Sequence, residues 1–86
     1  MEYSFTQSAL QDLRHLPKTI QGRILEKLEL YIQSGAPLKF ADALKDHVLG
    51  QFRFRMGDYR VIFDVDQPKG IITILAVGHR KDIYRR

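Results

Sequence analysis

The sequence predicts an α+β fold: a strand, an αα-hairpin, then a three-stranded antiparallel meander, with the helices packed on one sheet face. Three observations carry this reading. Apolar residues recur at three- and four-residue steps through the first half of the chain, and beyond Gly50 the period drops to two. Glycine-containing turn segments at 57–58 and 66–70 cut the second half into runs of strand length. With 86 residues, the chain is long enough for one core and too short for two, so a single domain over residues 1–86 is expected.

Glu2 to Phe5 alternates over the length of one short strand. Thr6 can cap a helix whose apolar positions are Ala9, Leu10, Leu13 and Leu16. Pro17 interrupts where a second helix can begin. Ile20, Ile24, Leu25, Leu28, Tyr31 and Ile32 give that helix its stripe until Ser34-Gly35-Ala36-Pro37 stops it. Leu38 to His47 mixes apolar and polar residues without a period and reads as loop with a short helical turn. Gln51 to Met56 and Tyr59 to Val65 are strands joined by the two-residue loop Gly57-Asp58. A second turn, Asp66-Gln67-Pro68-Lys69-Gly70, leads into Ile71 to Val77. There is no internal repeat and no low-complexity tract.

An apolar fraction of 44% and a charged fraction of 28% are those of an ordinary globular domain. The chain has no cysteine, which removes disulfides and thiolate metal sites and fits a reducing compartment. No apolar run approaches membrane-spanning length, and MEYSFTQ lacks the basic-then-apolar order of a secretory signal; a cytoplasmic protein with no membrane partner is expected. The net charge of +4 is unevenly placed. Residues 1–50 hold six Lys/Arg against six Asp/Glu and residues 51–86 hold eight against four, so the C-terminal half carries the whole excess. Such asymmetry points to a polyanion or an acidic protein as partner.

If Gly57-Asp58 is the hairpin loop, Met56 faces Tyr59, Arg55 faces Arg60, Phe54 faces Val61 and Phe52 faces Phe63. Alternation then puts the aromatics on one face and Arg53, Arg55 and Arg60 on the other. Arg55 opposite Arg60 is a like-charge pair costing up to about 1 kcal/mol, which a fold does not need. A third antiparallel strand ending at Val77-Gly78 would bring His79 and Arg80 out beside Arg60, with Tyr84 one short turn later. A face holding Arg53, Arg55, Arg60, Arg80, His79 and Tyr84 could clamp phosphate, stack a base and move a proton. Lysine would serve solubility or edge protection equally well, so a face of arginines favours anion recognition.

The segments FRFRMGDYRVIFDVD and IITILAVGHRKDIYRR resemble the C-terminal half of RelE-type toxins of the RelE/ParE toxin-antitoxin superfamily. Element order and length match as well, so the resemblance covers nearly the whole chain. It implies a type II toxin that acts as a ribosome-dependent endoribonuclease, an mRNA interferase, without a cofactor or metal. The ribose 2′-hydroxyl would attack the adjacent phosphorus, giving a 2′,3′-cyclic phosphate and a 5′-hydroxyl. By the same resemblance Arg60 and Arg80 match charge-stabilising arginines, Arg53 a basic strand position, and Tyr84 a tyrosine that packs on substrate. Arg55, Lys81, Arg85 and Arg86 would extend the RNA contact. The implied partners are a cognate antitoxin, mRNA and the ribosome.

The chain departs from members that carry lysine at two alternating positions of the first hairpin strand, having Gln51 and Arg53 there. Arginine is effectively never deprotonated, so Arg53 is a clamp rather than a base. His79 is the nearby side chain of a type suited to proton transfer near neutrality, with stacking or a structural role as the alternatives. His15 and His47 have no ligand spacing around them, so a zinc site is not expected. Two further readings compete with the nuclease. One is a ParE-like inhibitor of DNA gyrase, which shares the scaffold and generally lacks the combined Arg53, Arg60, Arg80 and Tyr84 set. The other is a passive RNA-binding domain.

Overall fold

A computed structural model describes residues 1–45 and 48–85. Strand β1 spans Glu2–Phe5, followed by helices α1, Gln7–Arg14, and α2, Lys18–Gln33. Strands β2 (Ala41–Ala43), β3 (Phe52–Met56), β4 (Tyr59–Asp66) and β5 (Ile71–His79) come next, with 3₁₀ turns at Pro37–Phe40 and Ile83–Arg85. Thr6 caps α1: its Oγ1 accepts the Ala9 amide at 3.1 Å, satisfying one of the donors that a helix start leaves unpaired. Pro17 stands at the N-cap of α2, where a residue without an N–H breaks no helical bond.

The sheet order is β1-β5-β4-β3-β2. The expected meander of β3, β4 and β5 forms its centre. β1 lies parallel to β5, with Glu2 opposite Ile71, a return that the intervening helices make possible because parallel strands need a long crossover. β2 is the correction to the sequence reading of Leu38–His47 as loop. Ala41 pairs with Phe54, Asp42 with Arg53 and Ala43 with Phe52. Alanine and aspartate have little strand preference, so only the pairing makes this segment a strand, and no period announces it. His47 lies outside the described residues.

Phe54, Val61, Phe63, Ile72 and Ile74 on the sheet meet Ala9, Leu13, Ile24 and Leu28 on the helices, and all are buried. Phe54 stacks on Phe63 with ring centroids 4.4 Å apart and meets Tyr31 of α2 at 4.9 Å, which ties sheet to helix. Leu25, read as part of the helical stripe, is instead 38% exposed. It sits about 100° round from Ile24 and so misses the arc the sheet covers.

The two-residue hairpin loop forms as its sequence suggests. Gly57 has φ 62° and no other residue type described has positive φ, the arrangement of a turn that needs glycine at its first central position. The register matches expectation: Arg55 opposes Arg60, and Phe54 opposes Val61. Between β4 and β5 the pairing shifts at Ile62/Phe63, a bulge with an extra residue on β5. Beyond the start of β3, Gln51 bridges to β4: its amide donates to Asp64 Oδ1 and its Oε1 accepts from the Val65 amide, both at 2.9 Å.

The face opposite the helices is partly roofed. Ile62, Ala76 and Ile83 are buried there, with Leu44 and Leu49 packed against them. Gly50 makes this close approach possible. A Cβ on it would stand 2.7 Å from Ile62 Cγ2 and 3.1 Å from Leu75 Cδ1, and a buried β-branched side chain between strands has nowhere to turn. Gly50→Ala should therefore destabilise the protein by about 1–3 kcal/mol. Thermal melting checks this, and a midpoint equal to wild type would mean that the second cluster is loosely packed.

Candidate active site

β3 carries Arg53 and Arg55 on the face away from the helices, because Phe52, Phe54 and Met56 occupy the other. The arginines do not simply repel. Asp42 of the unforeseen strand β2 lies opposite Arg53, and one carboxylate oxygen, Oδ2, accepts from Arg53 Nε at 3.3 Å and forms an ion pair with Arg55, 2.8 Å from its Nε. Arg60 turns back on its own hairpin: Nη1 donates to the carbonyls of Gly57 at 2.8 Å and Tyr59 at 3.0 Å. The opposed Arg55 and Arg60 are thus drawn to different acceptors.

Tyr84 reaches the face from the C-terminal 3₁₀ turn. Arg53 Nη1 donates to its hydroxyl oxygen at 2.7 Å, and the guanidinium carbon lies 5.9 Å from the ring centroid. That hydrogen bond is the main reason the Arg53 pKa is pushed up from its already high value, with Asp42 adding to it. Arg53 is a permanent cation here. Tyr84 is 43% exposed and keeps its own O–H for a further acceptor.

Arg80 joins Arg60 at the hairpin loop. Its amide donates to the Asp58 carbonyl at 2.7 Å, and its Nε lies 3.6 Å from Asp58 Oδ1. Lys81 and Arg85 are exposed along the same tail; Arg86 lies outside the described residues. The cations therefore form two groups on one side of the sheet: Arg53 and Arg55 beside Asp42, with Tyr84 against Arg53, and Arg60 with Arg80 at the Gly57-Asp58 loop.

His79 is the exception. β5 extends through His79, which pairs with Tyr59, while Gly78 pairs with Arg60. Alternation sends the His79 ring to the helix side, edge-on to the Tyr59 ring at 5.4 Å, so it does not share the arginine face as the shorter strand reading implied. Its Nδ1 accepts from the Lys81 amide at 3.1 Å. It lines a cleft of about 540 Å³ with Asp12, His15 and Asp82. Among the described residues no group of three or more His, Asp or Glu side chains is gathered in a way that could hold a metal ion. A groove of about 600 Å³ between α2 and the hairpin loop also lies on the helix side. Neither cavity adjoins Arg53 and Arg55, and an extended polyanion needs an open cationic surface rather than an enclosed space.

Comparison with known proteins agrees with this geometry. The family model described as the ParE toxin of the type II toxin-antitoxin system parDE matches residues 3–84. The chain belongs to the RelE/ParE family of type II toxins. Toxin RelG of Mycobacterium tuberculosis is 37% identical over 82 residues, covering 95% of this chain and 93% of that protein. Toxin RelE of the same organism is 27% identical over 82 residues, covering 95% and 84%. Among solved structures, the RelBE2 toxin-antitoxin complex from M. tuberculosis aligns with TM-score 0.78 and 32% identity, covering 92% of this chain and 96% of that one. The RelE-RelB complex of Pyrococcus horikoshii aligns with TM-score 0.72 and 28% identity, covering 94% and 96%. Two helices on a mixed five-stranded sheet is thus the toxin fold.

Sequence reasoning missed Asp42, whose only signal was a carboxylate in an aperiodic segment, and misplaced His79, whose side was decided by two further residues of strand. Gln51 serves as a clip between β3 and β4, its amide and side chain both bonded to β4.

Among the described residues Arg60 bonds only to carbonyls of its own hairpin, those of Gly57 and Tyr59, so Arg60→Ala should leave stability within about 0.5 kcal/mol of wild type. The same change should lower the salt dependence of single-stranded RNA binding by a slope of about 0.7, the value of one phosphate contact. Anisotropy titrations across a salt series, paired with melting curves, read both. An unchanged slope would remove Arg60 from the anion face.

Proposed function

We propose that this toxin is an endoribonuclease that cleaves mRNA on the ribosome, held inactive by a cognate antitoxin in the cytoplasm. The observation that carries the reading is Tyr84 bonded to Arg53 on the same sheet side as Arg60 and Arg80. That set pairs an exposed aromatic ring for a base with guanidinium forks for a phosphate. Relatives named RelG and RelE, and neighbours solved as toxin-antitoxin complexes, support it.

The proposed reaction needs no added nucleophile. The ribose 2′-oxygen forms a bond to phosphorus as its proton departs, the bond from phosphorus to the 5′-oxygen breaks, and that oxygen takes up a proton. The products are a 2′,3′-cyclic phosphate and a 5′-hydroxyl. Arg60 and Arg80 would stabilise the charge that grows on the phosphorane oxygens, and Arg53 would clamp the phosphate. Tyr84 would stack on a base and offer its O–H to the phosphate. Lys81, Arg85 and Arg86 would contact flanking backbone. His79, turned to the helix side with Nδ1 engaged, is assigned to ordering the Lys81–Tyr84 turn rather than to proton transfer.

The second reading, a gyrase inhibitor, draws on the family model's description as a ParE toxin. One experiment separates the two. Purified toxin added to programmed ribosomes should cut message in the presence of chelator and spare message with a 2′-deoxy target nucleotide. Arg80→Ala should slow cutting by about 10²-fold. Intact message together with loss of gyrase supercoiling activity would favour the second reading.

The assignment of His79 has its own test. His79→Gln keeps an acceptor for the Lys81 amide and should preserve the pH profile of the cleavage rate. A shifted or flattened profile would return His79 to proton transfer.

A further inference from the structure

Among the described residues, Asp42 is the one acidic group paired with the arginines of β3, and its geometry is specific. A single oxygen, Oδ2, takes the Nε–H of Arg53 and pairs with the Arg55 guanidinium, 2.8 Å from its Nε. A guanidinium held at Nε has its outer edge, formed by the two Nη groups, turned away from the carboxylate. On Arg53 a second anchor, the Tyr84 hydroxyl on Nη1, removes the remaining rotation. The Asp42 side chain is 39% exposed, and the pairing of β2 with β3 sets its position directly across from Arg53. A carboxylate beside an anion-binding face weakens anion binding, so its presence there calls for a compensating role.

We propose that Asp42 is a positioning residue for cleavage: it aims the Arg53 and Arg55 guanidinium groups at the phosphate while lowering ground-state affinity for RNA. The proposal rests on the nuclease reading above. A group that orients cations yet repels the substrate's charge has opposed effects on the two kinetic constants. Removing its charge should tighten or preserve RNA binding and slow the chemical step, because a guanidinium free to rotate must be ordered anew at each transition state. A residue needed only for folding would lower the melting temperature and the active fraction together. A carboxylate that merely screens the arginines would lower KM on removal and leave kcat alone.

Asp42→Asn keeps the size of the side chain and an acceptor oxygen but removes the charge. In the programmed-ribosome assay it should reduce kcat by about ten- to a hundredfold, with KM unchanged or lower. Asp42→Glu, which restores the charge, should recover part of that loss. Independently of any variant, the Nε–H signal of Arg53 in wild-type protein should exchange with solvent more slowly than that of Arg14, which has no carboxylate partner among the described ion pairs. Exchange as fast as Arg14, wild-type kcat in Asp42→Asn, or a kcat loss matched by loss of folded protein would each overturn the proposal. Active wild type with an unaltered variant sinks the positioning role alone. Wild type that cuts no message while the Arg53 signal stays protected sinks the nuclease reading, and the positioning role with it.

Discussion

The structure hangs on the burial of Phe54. It is fully buried in the middle of the five-residue strand β3, stacked on Phe63 and touching Tyr31 of α2. Burying such a side chain contributes about 1.5–3 kcal/mol, and each aromatic contact adds about 0.5–1.5 kcal/mol. A slip of one residue would put Arg53 or Arg55 into that position, and an unpaired buried guanidinium costs far more than any hairpin could recover. The register of the hairpin is therefore set by its hydrophobic half. The arrangement of cations follows from it, since residues on either side of Phe54 have only the opposite face to occupy.

What that constraint creates is a crowded set of like charges, and the fold relieves the crowding locally. Asp42 draws Arg53 and Arg55 together, two hairpin carbonyls hold Arg60, and Asp58 holds Arg80. These bonds are exposed to water, so each contributes little to stability, in the range of about 0–1 kcal/mol for a surface ion pair. Their effect is on direction. The guanidinium groups are tethered mainly through Nε or one Nη, which leaves donor edges facing outward from a surface open to solvent. An anion meeting such an edge need not first displace every internal partner.

The legible parts of this molecule were those governed by period. The helix stripes, the Thr6 cap, the Gly57-Asp58 loop and the β3–β4 register each depend on residues within a few positions of one another, and the structure has them where the pattern put them, Leu25 apart. What escaped was decided by partners distant in sequence. Ala41–Ala43 is a strand only because β3 offers an edge, so Asp42 could not be seen as a neighbour of Arg53. Ile62 sits on the arginine face beneath Ile83, which lies 21 positions along the chain, and its burial could not be told from that of Val61 or Phe63. His79 failed for a subtler reason. Extending a strand by two residues costs nothing in pattern, yet it fixes on which side the next side chain falls.

The same second cluster explains how a tyrosine near the end of the chain comes to lie over Arg53. The tail has few backbone ties: the Arg80 amide to Asp58, the Asp82 amide to the His79 carbonyl and the Arg85 amide to that of Asp82. The Lys81 amide on His79 Nδ1 adds a side-chain tie. None of these reaches β3. Among the described residues of the tail, the one large tertiary contact is Ile83, 1% exposed against Ile62 and Ala76. Full burial of an isoleucine contributes about 1.5–3 kcal/mol, more than the exposed hydrogen bond from Arg53 to Tyr84 can supply. The placement of Tyr84 is thus a packing result first and an electrostatic one second. Ile83 anchors the turn, and the next residue is thereby carried to the arginine face, where the bond to Arg53 selects its orientation. The arrangement of groups on the face and the hydrophobic packing beneath it are coupled through adjacent residues, so whatever loosens Ile83 also removes Tyr84 from Arg53.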